Sequence, residues 1–189
     1  MPITGYARVD VEVIVKIVSW WVAPLLSLAV TAEAAAEKIL ALQGRISEQA
    51  TYRVQVDFAT TVNDRACQFE DYITGMWIAQ RQTQFFPAQI SGKTHHARID
   101  LNYPGDAVTC GWQPAVISIC VGSRSADQAP AYCHALYVMQ AHGGSEPAAA
   151  KMYCDTQSWV CTDASGSAIP RQSVAGFNKP VALDIDATE

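Results

Sequence analysis

The chain has 189 residues, half of them hydrophobic and only 16% charged, against ~25% charged in ordinary soluble domains. That length supports one domain with an N-terminal extension, and the composition suits a folded chain that sets some apolar surface against lipid or partner protein. A net charge of −5, a pI near 5.3 and scattered Lys and Arg exclude an electrostatically held nucleic-acid partner.

Residues 11–48 begin as an apolar run. Positions 17–32 carry no charge and include Trp20, Trp21, Leu25, Leu26 and Leu28. Extended back to Val11, the run reaches the ~20 residues of a spanning helix, with Glu12 and Lys16 at the i,i+4 spacing of a helical ion pair. Pro24 removes one backbone hydrogen bond, which membrane helices tolerate better than soluble ones. Three readings compete. A signal peptide has its small-x-small site at Ala32-Glu33-Ala34 or Ala34-Ala35-Ala36, but Asp10 and Glu12 cancel Arg8 and Lys16 where a basic region is required. A helix buried in a soluble core or subunit interface also accommodates the run. The expectation is an uncleaved anchor, with Lys16 and the tryptophans near one interface and Glu33, Glu37 and Lys38 beyond the other. Membrane lipid is then a partner, and a secreted protein is the alternative.

Beyond Ala32 the pattern changes. Ile39, Leu42 and Ile46 fall at i, i+3 and i+7, one turn after Ala35, while Glu37, Lys38, Arg45 and Glu48 take other positions. This is the apolar stripe of an amphipathic helix, weakened at Gly44 by ~1 kcal/mol relative to Ala. The expected fold is α+β. Residues 1–50 form a long apolar and amphipathic helix for anchoring or assembly, and residues 51–189 form a mainly antiparallel β head with one short helix. Gly5-Tyr6-Ala7-Arg8-Val9-Asp10 resembles a prepilin junction, with Gly before the cleavage point, an aromatic first residue and an acidic fifth. An apolar helix, a proline and a globular head follow, so the first 45 or so residues are similar in architecture to type IV pilins. The leader-like MPITG has no basic residue, unlike that family's pattern. The resemblance implies a continuous helix running into the head.

Six cysteines, Cys67, Cys110, Cys120, Cys133, Cys154 and Cys161, all follow the apolar run. None forms C-x-x-C, so the zinc-ribbon, thioredoxin-type and haem-attachment signatures are absent. The even count predicts up to three disulfides in an oxidising compartment, with buried free thiols as the alternative. Cys154 with Cys161 is the expected first pair, since residues 155–158 can turn the chain back between them. Cys110 with Cys120 is the second.

Within the head, Tyr52, Val54, Val56 and Phe58 alternate with polar residues, which predicts a strand. Phe69, Tyr72, Ile73, Met76 and Trp77 follow the helical period and predict the short helix with an aromatic stripe turned to the core, while the interruption at Gly75 leaves a strand over 73–79 as the alternative. Ala97, Ile99, Leu101 and Tyr103 alternate again, and the Pro104-Gly105-Asp106 turn predicts a hairpin over 98–112. Residues 115–121 and the apolar run 132–141 are further elements, and 152–162 reads as a closing hairpin. Val181, Leu183 and Ile185 alternate in a tail that adds an edge strand or stays loose.

No residue pattern specifies chemistry. His95 and His96 are adjacent, so on a strand they face opposite ways, and His134 and His142 are too far apart along one strand to share a metal. Cys133-His134 is adjacency in sequence, not the spatial couple that thiolate catalysis requires. Ser118 lacks a glycine elbow, Gly143-Gly144 lacks the flanking pattern of a phosphate loop, and Asp100 and Asp106 bracket a turn. No catalytic residue, cofactor or metal site is assigned. The expected function is a structural or interaction subunit of a membrane-associated extracytoplasmic assembly, as a homo-oligomer or within a larger complex. The alternative is a secreted or periplasmic enzyme or ligand-binding domain with a pocket lined by His95, His96, His134 or His142.

Overall fold

Strict alternation of apolar and polar side chains makes strands, and a computed structural model shows it along most of the head. The described residues are 38–103, 110–125, 132–140 and 142–188. In chain order the strands are β1 (Ile39–Arg45), β2 (Ala50–Thr60), β3 (Gln68–Glu70), β4 (Trp77–Ala79), β5 (Arg81–Pro87), β6 (Gln89–Ser91) and β7 (Thr94–Asp100). They continue as β8 (Trp112–Ser123), β9 (Tyr132–Met139), β10 (Ala150–Asp155), β11 (Cys161–Thr162), β12 (Gln172–Val174) and β13 (Val181–Thr188). Six form one sheet in the order β11-β10-β13-β1-β7-β6, and five form a second in the order β12-β9-β8-β2-β5. β3 and β4 make a separate two-stranded hairpin. Most pairings are antiparallel, but β13 runs parallel to both its neighbours, β1 and β10, and β12 runs parallel to β9.

The two larger sheets share one core. Ala50, Tyr52, Val54, Val56 and Phe58 of β2 alternate inward, with Ile117, Ile119 and Val121 of β8 beside them. Leu40 and Leu42 of β1, Ala97 and Ile99 of β7, and Val181, Leu183 and Ile185 of β13 supply the other layer. Each large aliphatic side chain taken fully from water stabilises the fold by about 1.5–3 kcal/mol.

Four expectations are corrected. Across the described residues the fold is a β-sandwich, not α+β: residues 39–45 form a strand, so no helix runs through Ile39, Leu42 and Ile46 into the head, and the part of the expected helix before residue 38 lies outside the described residues. The helical spacing of those three hides a second pattern, since Leu40, Leu42 and Ile46 are each at most 2% exposed and lie two or four apart. That period of two puts one face of β1 in the core. The expected helix over 69–77 is the β3–β4 hairpin, with a turn at 71–76 in which Gly75 takes φ +66°, open to glycine at no steric cost. The expected hairpin over 98–112 is also absent. β7 pairs with β1 and β6 while β8 pairs with β2 and β9, so this connection crosses from one sheet to the other. Lastly, the tail is no edge: β13 lies inside the six-stranded sheet because Val181, Leu183 and Ile185 fill its core face.

Three disulfides close the head: Cys67–Cys110, Cys120–Cys133 and Cys154–Cys161. The expected 154–161 pair spans the β10–β11 hairpin, where the two cysteines sit opposite each other. Cys110 pairs with Cys67 and not with Cys120, whose partner Cys133 is its direct neighbour across β8 and β9.

Candidate interaction site

The β3–β4 hairpin is a finger with a fixed base and an apolar tip. At the base, Asp64 accepts the Ala66 N–H and caps a short 3-10 turn, Arg65–Cys67. The Thr60 hydroxyl donates to the Cys67 carbonyl at 2.7 Å and accepts the Gln80 N–H at 3.1 Å. The Gln80 side-chain amide donates to the carbonyls of Ala66 and Gln68. Cys67, 1% exposed, then ties this turn to Cys110. The result is a base held by one covalent bond and a closed set of hydrogen bonds.

Toward the tip the side chains leave the protein. Tyr72 is 97% and Ile73 95% exposed, followed by Met76 at 60%, Phe69 at 49% and Trp77 at 42%. The guanidinium of Arg65 lies 5.0 Å above the Trp77 ring. The tip backbone serves itself: Asp71 N–H donates to the Met76 carbonyl and Gly75 N–H to the Asp71 carbonyl. Ile73 N–H donates to the Asp71 carboxylate, and Met76 N–H reaches the Thr74 hydroxyl. The Ile73 N–H is the main reason the Asp71 carboxyl is held below its usual range. Scattered exposed apolar residues mean little, but a contiguous group marks a place where a protein meets lipid or another protein.

The histidines do not converge. His95, 4% exposed, joins the two sheets: its Nε2–H donates to the Leu183 carbonyl at 2.7 Å, and its Nδ1 accepts from the Tyr52 hydroxyl at 2.7 Å. A carbonyl can only accept, so Nε2 carries the hydrogen and, in the neutral ring, Nδ1 is the acceptor. Burial, before any other cause, lowers the His95 pKa. His96 points outward on the same strand, and His134 Nε2 accepts the Cys161 N–H at 3.0 Å. Among the described residues no three His, Cys, Asp or Glu side chains gather as a metal site. Ser118 is buried in β8, and Asp100 accepts the N–H of Asn102 in a turn. A cavity of about 270 Å³ at one end of the sandwich is lined by Lys38, Ile39, Leu101, Pro114 and Phe177 among others, none of them histidine.

Of the residues assigned to membrane or assembly contacts, Trp20, Trp21, Leu25, Leu26 and Leu28 lie outside the described residues. Leu42 and Ile46 are core residues of the head, and Ile39 is half-buried at the start of β1. In the sequence the finger reads as an aromatic helical stripe turned inward, with a strand over 73–79 as the alternative that β4 partly meets. Its signals were Gly75 in mid-pattern and Asp71, a turn-forming residue, four positions earlier. Comparison with protein-family models, curated proteins and solved structures finds no match to this chain.

Proposed function

We propose that this protein is a structural or interaction subunit of a membrane-associated assembly outside the reducing cytoplasm, with the finger as its docking element. One observation carries the reading. Two large apolar side chains, Tyr72 and Ile73, are almost wholly in water at the end of a hairpin whose base is covalently fixed. Rigid presentation lowers the ordering cost of a contact. Three disulfides support an oxidising location, and the apolar run over 17–32 supports attachment to a membrane.

Two measurements test it. Intact mass after thiol alkylation should show no free thiol on the native protein. Sedimentation of the full chain, with and without lipid vesicles, should show a complex that the finger variant Ile73→Asp weakens without changing the melting temperature. Free thiols, or a monomer indifferent to that substitution, would sink the reading. A ligand-binding domain is the second reading, favoured by the end cavity of about 270 Å³ and by an open cleft of about 390 Å³ that His134 helps to line, against the ~300–1,000 Å³ usual for small-molecule sites.

A further inference from the structure

We infer that the occupant of the finger is the headgroup–acyl boundary of a zwitterionic lipid bilayer, an inference that rests on the membrane-side reading above. Four observations select lipid over protein.

The first is the distribution of the apolar side chains around the finger. Directly opposed residues in an antiparallel pair share a face. Phe69 pairs with Ile78, while Glu70 pairs with Trp77, so Phe69 and Trp77 lie on opposite faces, with Tyr72 and Ile73 at the end between them. A protein surface laid on either face leaves the other in water. A fluid medium surrounds both.

The second is area. At these exposures the five side chains present roughly 700 Å². Divided over two faces, this gives a second copy or another protein about half of the ~800 Å² that each partner of a stable interface contributes. Lipid imposes no such minimum, because partition depends only on the apolar area immersed.

The third is the backbone. Entry into a poorly hydrated layer is costly for N–H groups that lose water. At the tip, four of them, on Asp71, Ile73, Gly75 and Met76, have partners inside the finger. Tyr and Trp are also the side chains suited to this depth, apolar in body with one polar handle.

The fourth is charge. Residues 72–80 carry none; the Asp71 carboxylate closes the tip turn by accepting the Ile73 N–H, and Asp64, Arg65, Glu70 and Arg81 lie behind the tip. Charges of both signs there complement a headgroup layer that holds both phosphate and ammonium. With carboxylates in the majority and a chain charge of −5, an anionic surface gains nothing.

The test uses the full chain, reconstituted in vesicles or left in solution as it purifies, and a second population of dye-labelled phosphatidylcholine vesicles free of protein. Capture of the labelled vesicles is read by flotation for the parent protein and for Ile73→Ser/Met76→Ser, two exposed positions whose loss removes no core contact. Any contribution of residues 1–37 is common to both proteins. We expect the double variant to lose capture by about tenfold or more, with circular dichroism and disulfide content unchanged. Replacing a third of the lipid by phosphatidylserine should leave parent capture equal or weaker. Equal capture by parent and variant overturns the inference, as does capture that requires the anionic lipid. A variant that captures vesicles normally but no longer assembles makes the finger a protein contact, which removes lipid as its occupant and leaves the subunit reading standing. Free thiols on the native chain, with finger-dependent capture intact, would do the reverse.

Discussion

At position 44 the absence of a methyl group decides how three strands meet. A Cβ on Gly44 would stand 2.0 Å from the Leu183 carbonyl oxygen and 2.7 Å from its carbon, which backbone atoms cannot clear by a side-chain turn. Gly44 also lies opposite His95 in the β1–β7 register, so the imidazole reaches Leu183 beside it. Here side chains replace strand partners: the Leu183 carbonyl takes His95, and the Arg45 N–H donates to the Asp184 carboxylate at 2.8 Å. Gly44→Ala should therefore destabilise the head by about 2 kcal/mol or more, through overpacking and loss of a buried hydrogen bond. A urea midpoint unchanged by that substitution would refute this account. The same imidazole sets a pH response. Burial is the main cause that lowers the pKa of His95 and of His134; the Leu183 carbonyl and then the Asp184 carboxylate partly oppose it at His95, where His96 adds to it, and the Trp159 backbone partly opposes it at His134. The unfolded chain, near 6.5, then binds protons before the folded one. This contribution to stability is whole above pH ~6.5 and is lost as pH falls through the folded values. The melting temperature should drop between about pH 7 and pH 5, and the slope should flatten in His95→Gln even though that variant starts lower. A melting temperature that rises on acidification over this interval would contradict it.

Disulfides and strands act at the level of elements, where loop length ranks what each bond contributes. The bonds close separations of 43, 13 and 7 residues, so restricting the unfolded chain contributes about 4, 3 and 2 kcal/mol respectively. Replacing Cys67 and Cys110 together by Ala should cost the most stability, and should also loosen the finger base, read as faster amide exchange at Gln68 and Gln80. A smaller loss than that from the Cys154/Cys161 double variant would overturn the ranking. Much at this level was legible. The alternation in β2 and the turn between Cys154 and Cys161 are local signals, and both elements formed as read. β1 and the finger were misread for opposite reasons. In β1 the residues that fit a helical period, Ile39, Leu42 and Ile46, overlap a period-two set that only a facing sheet could select. In the finger the spacing was helical, but among the described residues no surface lies against such a stripe, and Gly75 with Asp71 turns the chain instead. A helical stripe predicts burial only where a partner surface is present, and a single sequence does not show one.

For the molecule as a whole, pairing partners far apart in the chain were the least legible part. Neither the sheet order nor the partners of Cys67 and Cys133 leave a local trace. β13 is the clearest case: it joins β1, nearly the whole head away in sequence, to β10, and it runs parallel to both. Arg45 and Asp184, in contact here, are 139 residues apart. Loop closure over such a span precedes any gain from contact, so the sheet forms late. A chain ending at residue 180 lacks Val181, Leu183 and Ile185 from the core and leaves β1 and β10 without a common neighbour. It should remain open to protease under conditions where the chain through residue 188 resists. A chain delivered from its N-terminal end, by a ribosome or through a membrane pore, therefore keeps this head threadable until the final strand emerges. The clasp that makes the sandwich stable is also the last strand that such a chain can supply.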